Sequence, residues 1–288
     1  IGFPMLKDLG NRVADKIGAE RTPEVFLLDR SRSIRYHGRI DDQYGVGYIR
    51  DKVGSQDLKN AIEDLLAGRA VKTPRTSAEG CFIGRIRTPR PDAPVTYSKQ
   101  IARLLQRRCV ECHREGQIAP FALTDYDEVV GWAETIDEVV SQRRMPPWHA
   151  DPRHGRFAND RHLNDEERQL VHCWVADGAP EGNPADLPKP VKFTIGWQLP
   201  RKPDVVIPMA DKPFSVPAEG TVRYKYFTVD PKFREDRWVQ LAELQPGNRA
   251  VVHHILVFVR APKGSRHGGW TGGPGAFLAS YVPGARLH

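Results

Sequence analysis

Five consecutive residues, Cys109-Val110-Glu111-Cys112-His113, constrain this chain more than any other feature. Two thiols separated by two residues, with histidine directly after the second, have the spacing by which a c-type haem is attached. Each thiol adds across one porphyrin vinyl group, and the histidine supplies a neutral imidazole as the proximal iron ligand. The segment must therefore present all three groups on one side of a helical turn. A zinc site is the competing reading, and it needs two further cysteines or histidines at knuckle spacing. The remaining thiols, Cys81 and Cys173, stand apart from any such partner.

An iron held this way has a sixth position that methionine or histidine fills in a low-spin electron carrier. Met145 is the first candidate, in Arg143-Arg144-Met145-Pro146-Pro147-Trp148, where two prolines stiffen a loop past a helix end. His149 is the alternative distal ligand, and core filling is the plain reading of a methionine. The preceding helix starts at Thr124, whose hydroxyl can cap the Asp127 amide, and its apolar stripe is Val129, Trp132, Ala133, Ile136, Val139 and Val140. Another helix runs from the cap Asn164 through Leu170, Val171, Trp174 and Val175 to a stop at Gly178. A third, 98–108, leads into the motif, and Cys173 packs within its helix. His154, His162 and His172 read as surface or helix histidines. Three helices around Cys-x-x-Cys-His with a downstream methionine resemble a small class I cytochrome c domain.

Ahead of the motif the pattern is mixed: a helix over 11–17, strands over 24–28 and 34–36, and a helix capped by Ser55 and ended by Gly68. That helix has the apolar face Leu58, Ala61, Ile62, Leu65 and Leu66. Arg21-Thr22-Pro23-Glu24, Val25-Phe26-Leu27-Leu28-Asp29 and Tyr36-His37-Gly38-Arg39-Ile40-Asp41-Asp42-Gln43 resemble the C-terminal half of thioredoxin-like redoxins. The resemblance implies a cis bond before Pro23, with an ordinary strand-entry proline as the alternative. No cysteine precedes Pro23, so redoxin catalysis has no support here. Residues 69–96 read as an extended connector containing Cys81, a packed or unpaired thiol, with a reactive or disulfide-bonded one as the alternative.

After Pro190 short strands are expected over 204–208, 221–229, 237–244 and 251–260, forming a sandwich. Within the last, His253-His254 interrupts an apolar run. Neighbouring strand residues face opposite sides, so both imidazoles reach one metal only where the backbone leaves regular β geometry. One buried and one exposed histidine is the alternative. The run Arg237-Trp238-Val239-Gln240 to Asn248-Arg249-Ala250-Val251-Val252-His253-His254-Ile255-Leu256, with Tyr281-Val282-Pro283-Gly284, resembles the N-terminal domain of copper type II, ascorbate-dependent monooxygenases. The resemblance implies that His253 and His254 are two of three copper ligands, the third lying beyond this chain. His267 or His288 would substitute only by coincidence of geometry.

The expected fold class is thus multidomain α+β. It comprises a partial thioredoxin-like α/β module over 1–75, a linker over 76–96, an all-α cytochrome c domain over 97–190 and an incomplete β-sandwich over 191–288. The chain has 288 residues and is 40% hydrophobic, enough for several cores. Its net charge of +7 is scattered among acidic residues without a long basic run, which argues against nucleic-acid binding and allows docking to an acidic redox partner. No apolar run spans a bilayer. Haem attachment to paired cysteines implies a periplasmic or otherwise extracytoplasmic location, with the export signal outside these residues. Ile1 at the start and the unclosed end suggest a segment of a longer polypeptide. The expected function is electron transfer by haem c, as part of a copper monooxygenase-like oxidoreductase in which haem passes electrons to copper. The alternative is a non-catalytic electron-transfer or scaffold subunit.

Overall fold

The computed structural model describes residues 6–284 apart from Ile86, Ile195, Glu219 and 261–274. His267 and His288 lie outside the described residues. The chain is mixed helix and small antiparallel sheets, an α+β protein. Its backbone divides into two units, Ile1–Tyr97 with Val129–Glu181, and Ser98–Glu128 with Gly182–His288.

The first unit begins with α1 (Arg12–Ile17), stopped by Gly18 at φ 74°. Next come β1 (Arg21–Thr22) and the hairpin of β2 (Val25–Leu28) and β3 (Ile34–Gly38), paired Val25 to Gly38 and Leu27 to Tyr36 with an irregularity after Leu27. The Thr22–Pro23 bond is cis, so the ordinary-proline alternative is set aside. Tyr36 is fully buried, and its hydroxyl bonds the Arg39 carbonyl at 2.6 Å and the Thr76 hydroxyl at 2.7 Å. A small exposed hairpin follows, β4 (Tyr44–Gly45) with β5 (Tyr48–Ile49).

Helix α2 (Asp57–Leu66) packs on β2 and β3. Its inward face is narrower than expected, because Ala61 is buried while Leu66 is 83% exposed. Ser55 does not cap it: Gln56 holds the cap position and the Ser55 hydroxyl donates to the Asp57 carboxylate at 2.5 Å. Gly68 at φ 71° ends the helix as expected.

The stretch read as a free connector is instead tied to this module. The His37 amide donates to Pro74 at 3.1 Å, and the Thr76 amide donates back to His37 at 3.1 Å. Cys81–Phe82 forms β6, antiparallel to β1. An extended segment needs no side-chain periodicity to satisfy a neighbouring strand's backbone, so composition concealed this pairing.

At the division between the units, α4 (Tyr126–Val130) is capped by the Asp125 carboxylate on the Glu128 amide at 3.0 Å, not by Thr124, whose hydroxyl donates to Glu128 at 3.0 Å. The expected long helix breaks at Gly131, where helix costs about 1 kcal/mol relative to alanine. The Trp132 amide closes a tight turn on Val129 at 3.0 Å, and α5 (Ala133–Ser141) begins. Ile136 and Val140 are buried on α5, which packs on α6 (Asp165–Ala176). Asn164 and Glu167 form a reciprocal capping box there. Trp174 is fully buried with its indole N–H donating to Pro180 at 3.0 Å, while Cys173 is only half-buried and accepts from Gln169.

A wide helical turn over Tyr97–Ile101 opens the second unit at Ser98 and runs into α3 (Ala102–Arg108), with Ile101, Leu104 and Leu105 buried. The second unit also contains the antiparallel pair β7 (Ile255–Val259) and β8 (Ala276–Tyr281). Residues 204–208, 221–229 and 237–244 form no strands among the described residues. Their alternation sorts side chains, yet a strand forms only where a neighbour takes its N–H and C=O groups. Val206, Tyr226 and Trp238 are accordingly exposed.

Asn164→Ala should lower stability by about 1 kcal/mol through loss of the cap. Gly178→Ala should cost more than a cap does, because Gly178 has φ 81° and a Cβ there would stand 2.8 Å from the Thr88 carbonyl oxygen. Urea midpoints measure both, and equal midpoints for the two variants and the parent would contradict this packing.

Candidate functional site

The motif is built at the end of α3. Cys109 departs from helical geometry at φ −121°, and the amides of Cys109 and Val110 both donate to the Leu105 carbonyl, at 2.8 and 2.9 Å. A fresh turn starts at once: the Cys109 carbonyl accepts from Cys112 at 3.0 Å and from His113 at 2.9 Å. Residues three and four apart then share one face, which places Cys109, Cys112 and His113 on a single side. Both thiols are half-buried and no disulfide joins them.

The following loop folds back over this turn. The Ala119 amide donates to Cys112 at 3.3 Å and the Leu123 amide to His113 at 3.0 Å. This brings the Phe121 carbonyl 3.3 Å from His113 Nδ1 and the Phe121 ring 4.9 Å from the imidazole. With Nδ1–H donating to a carbonyl, Nε2 carries the lone pair, which is the tautomer a metal-binding imidazole needs. Burial pushes the His113 pKa down and outweighs the opposing carbonyl contact, so the ring stays neutral.

Arg114 adds a feature that the sequence reading missed. Its guanidinium lies 3.9 Å over the Phe193 ring, and its buried Nε has no acceptor among the described residues. Gln117, with its amide oxygen turned inward, accepts from both Nη atoms at 3.3 Å. A buried donor without an acceptor suits an anion, and haem carries two carboxylates. The neutral, anchored imidazole, the two thiols on its face and the orphaned guanidinium N–H together fit that group. Arg114's position directly after the motif was its only sequence signal, and the Phe121 carbonyl had none.

Met145 lies in the first unit, just beyond α5. Arg143 takes a left-handed conformation at φ 57°, after which the Arg144 and Met145 amides both donate to Val139, at 2.8 and 3.1 Å. The Met145–Pro146 bond is cis. Met145 is 42% exposed, so it does not serve as core filler. His149 is exposed as well, four residues on. His172 pairs with Asp137 at 3.1 Å and His162 with Asp160 at 2.5 Å, as expected of surface histidines.

In the second unit, His253 and His254 sit immediately before β7, in backbone that has not yet become strand. Their Nδ1 atoms lie 2.9 Å apart, with ring centroids at 5.2 Å and planes at 77°. The irregular geometry that shared ligation requires is thus present. Imidazole nitrogens bound to one metal at about 2.0–2.1 Å stand about 2.9–3.4 Å apart for angles between square and tetrahedral. The same separation suits a hydrogen bond between one protonated and one bare nitrogen. No group of three or more metal-ligating side chains occurs among the described residues.

No protein-family model matches this chain, and no curated protein matches it.

Removing either imidazole should lower Cu(II) or Zn(II) affinity by at least the roughly 10–100-fold that loss of a second-shell group costs. Calorimetric titration of His253→Ala and His254→Ala checks this, and metal binding equal to the parent's in either variant would dissociate the pair from metal.

Proposed function

We propose that this chain is an exported c-type cytochrome electron-transfer protein, and that it forms the haem-bearing part of a copper monooxygenase-like oxidoreductase. The observation that carries the haem reading is the His113 ring, held neutral by burial and oriented by the Phe121 carbonyl on a turn that also presents Cys109 and Cys112. A bound haem c would supply reversible one-electron transfer. Cys109 and Cys112 would hold it by thioether bonds, His113 Nε2 by proximal ligation, and Arg114 Nε through a carboxylate. Met145 is the proposed distal ligand, with His149 as its alternative: a thioether raises the potential and an imidazole lowers it.

The finer architecture belongs to the same proposal. The β2–β3 hairpin with α2 across it supports a partial thioredoxin-like module, and α5 packed on α6 supports a cytochrome-like helical portion. The convergent His253–His254 pair supports a copper site that takes its third ligand from elsewhere. Covalent haem attachment to paired cysteines, expected on the oxidising side of a membrane, is the reason for assigning an extracytoplasmic location. Among the described residues no helix is long and apolar enough to cross a membrane. The second reading, an electron-transfer or scaffold subunit whose β-rich portion only docks a partner protein, is favoured by the exposed apolar residues Val206, Tyr226 and Trp238.

Expression with a haem-attachment system should give protein that keeps haem on a denaturing gel, with a reduced c-type spectrum. Cys109→Ser and Cys112→Ser together should abolish retention, whereas Met145→Ala should keep the haem and render it high-spin or ligand-exchanged. Haem-free protein from that host would sink the cytochrome reading. An unchanged low-spin spectrum in Met145→Ala would move the distal ligand to His149. Copper analysis of the same preparation separates the oxidoreductase reading from the scaffold one.

A further inference from the structure

Glu138, a carboxylate on the helix that precedes Met145 and bonded from three side chains, is left without a role by the site description. It lies on α5, one residue before the Val139 carbonyl that accepts from the Arg144 and Met145 amides. Its Oε1 accepts from Arg21 Nη2 at 2.7 Å and from Gln142 at 3.4 Å, and its Oε2 accepts from Arg21 Nη1 at 3.3 Å. Arg144, adjacent to Met145, completes the cluster with Nη2 3.5 Å from Oε2. Arg21 is itself fixed: Nη1 also donates to the Gly80 carbonyl at 2.9 Å, and the guanidinium sits 4.0 Å over the Phe82 ring. The Arg21 and Glu138 side chains are only 22% and 17% exposed, so solvent and salt screen this two-bonded pair less than a surface pair.

Through Glu138, 117 residues after Arg21 in the chain, the arrangement links the β1 strand to the residue beside Met145. Two amides on one carbonyl fix the backbone at the turn, and Arg144 Nε donates to Gln142 Oε1 at 2.7 Å, but both ties stay within that turn and leave free how it sits against the elements packed around it. A charge anchored from a second element removes that freedom. We propose that Glu138 is a positioning residue that holds the Met145 loop in register by clamping Arg144 against the Arg21 anchor. The inference rests on the proposed ligation by Met145.

The test uses the full chain carrying covalent haem. Two signals are read in the ferric protein: the sulfur-to-iron charge-transfer band of methionine ligation, and the imidazole concentration that displaces it. Glu138→Gln and Arg21→Gln should each make displacement about tenfold easier, within the coupling range of contacting residues. Asp137→Asn, which alters the neighbouring α5 carboxylate that faces His172, should leave displacement unchanged. Covalent haem content and helical circular dichroism should stay equal in all three. A parent with covalent haem but no methionine band removes the Met145 ligand and this inference with it. A parent with the band and a Glu138→Gln variant that displaces like the parent overturns this inference alone. A shift of equal size in Asp137→Asn also overturns it, because it would assign the effect to α5 as a whole.

Discussion

The Cys109 carbonyl governs the candidate site, because it accepts the amides of both Cys112 and His113 and so ends one helix and starts the next turn within a single residue. Had α3 continued regularly past Arg108, the same three side chains would still share a face, but the chain beyond them would run on along the helix axis. The early stop lets residues 114–123 turn back, and two more backbone bonds, Ala119 to Cys112 and Leu123 to His113, hold that return. The Phe121 carbonyl reaches His113 Nδ1 only through this return. The tautomer of the ring is therefore a consequence of backbone geometry ten residues long, with no side-chain partner involved.

Burial does the complementary work on charge. An imidazole with a carbonyl on one nitrogen is drawn toward the protonated form, since the cation donates more strongly; desolvation opposes this and prevails at His113. Arg114, next in the chain, leaves a buried Nε–H without an acceptor among the described residues. A neutral nitrogen ligand beside an unsatisfied cationic donor is a combination that attracts an uncharged coordination partner and an anionic group at once. A hydrophobic core would avoid both features, because each costs free energy when left alone.

Local signals were legible in proportion to how local their physics is. Asn164, Glu167 and Gly178 bracket α6 through contacts within one turn, and the sequence reading placed both of its ends correctly. Leu58, Ala61 and Leu65 marked the inner face of α2, while the cap there was misassigned because the Ser55 hydroxyl found a carboxylate two residues on. The break at Gly131 was missed because the apolar stripe continues across it. Pairings between distant backbones left no trace: Pro74 and Thr76 on His37, Cys81 on Thr22, and the absence of strand partners for 221–229 among the described residues depend on which segments meet. At the motif, the thiols and His113 could be named from the sequence, whereas Phe121 contributes only a backbone carbonyl, which no residue type signals.

The histidine pair shows why register matters as much as composition. Inside β7 two adjacent residues would face opposite sides of the sheet, and a shared ligand would be excluded. The strand begins at Ile255, directly after the pair, and the two Nδ1 atoms converge to 2.9 Å. At that distance the facing nitrogens hold either one proton between them or one cation, because two N–H groups pointed at each other would clash. The Tyr224 ring, 5.5 Å from His254, covers one flank, and His253 remains exposed. Exposure on that side leaves room for a further ligand to approach from solvent or from another part of the protein, which a pair sealed inside the sheet would not allow.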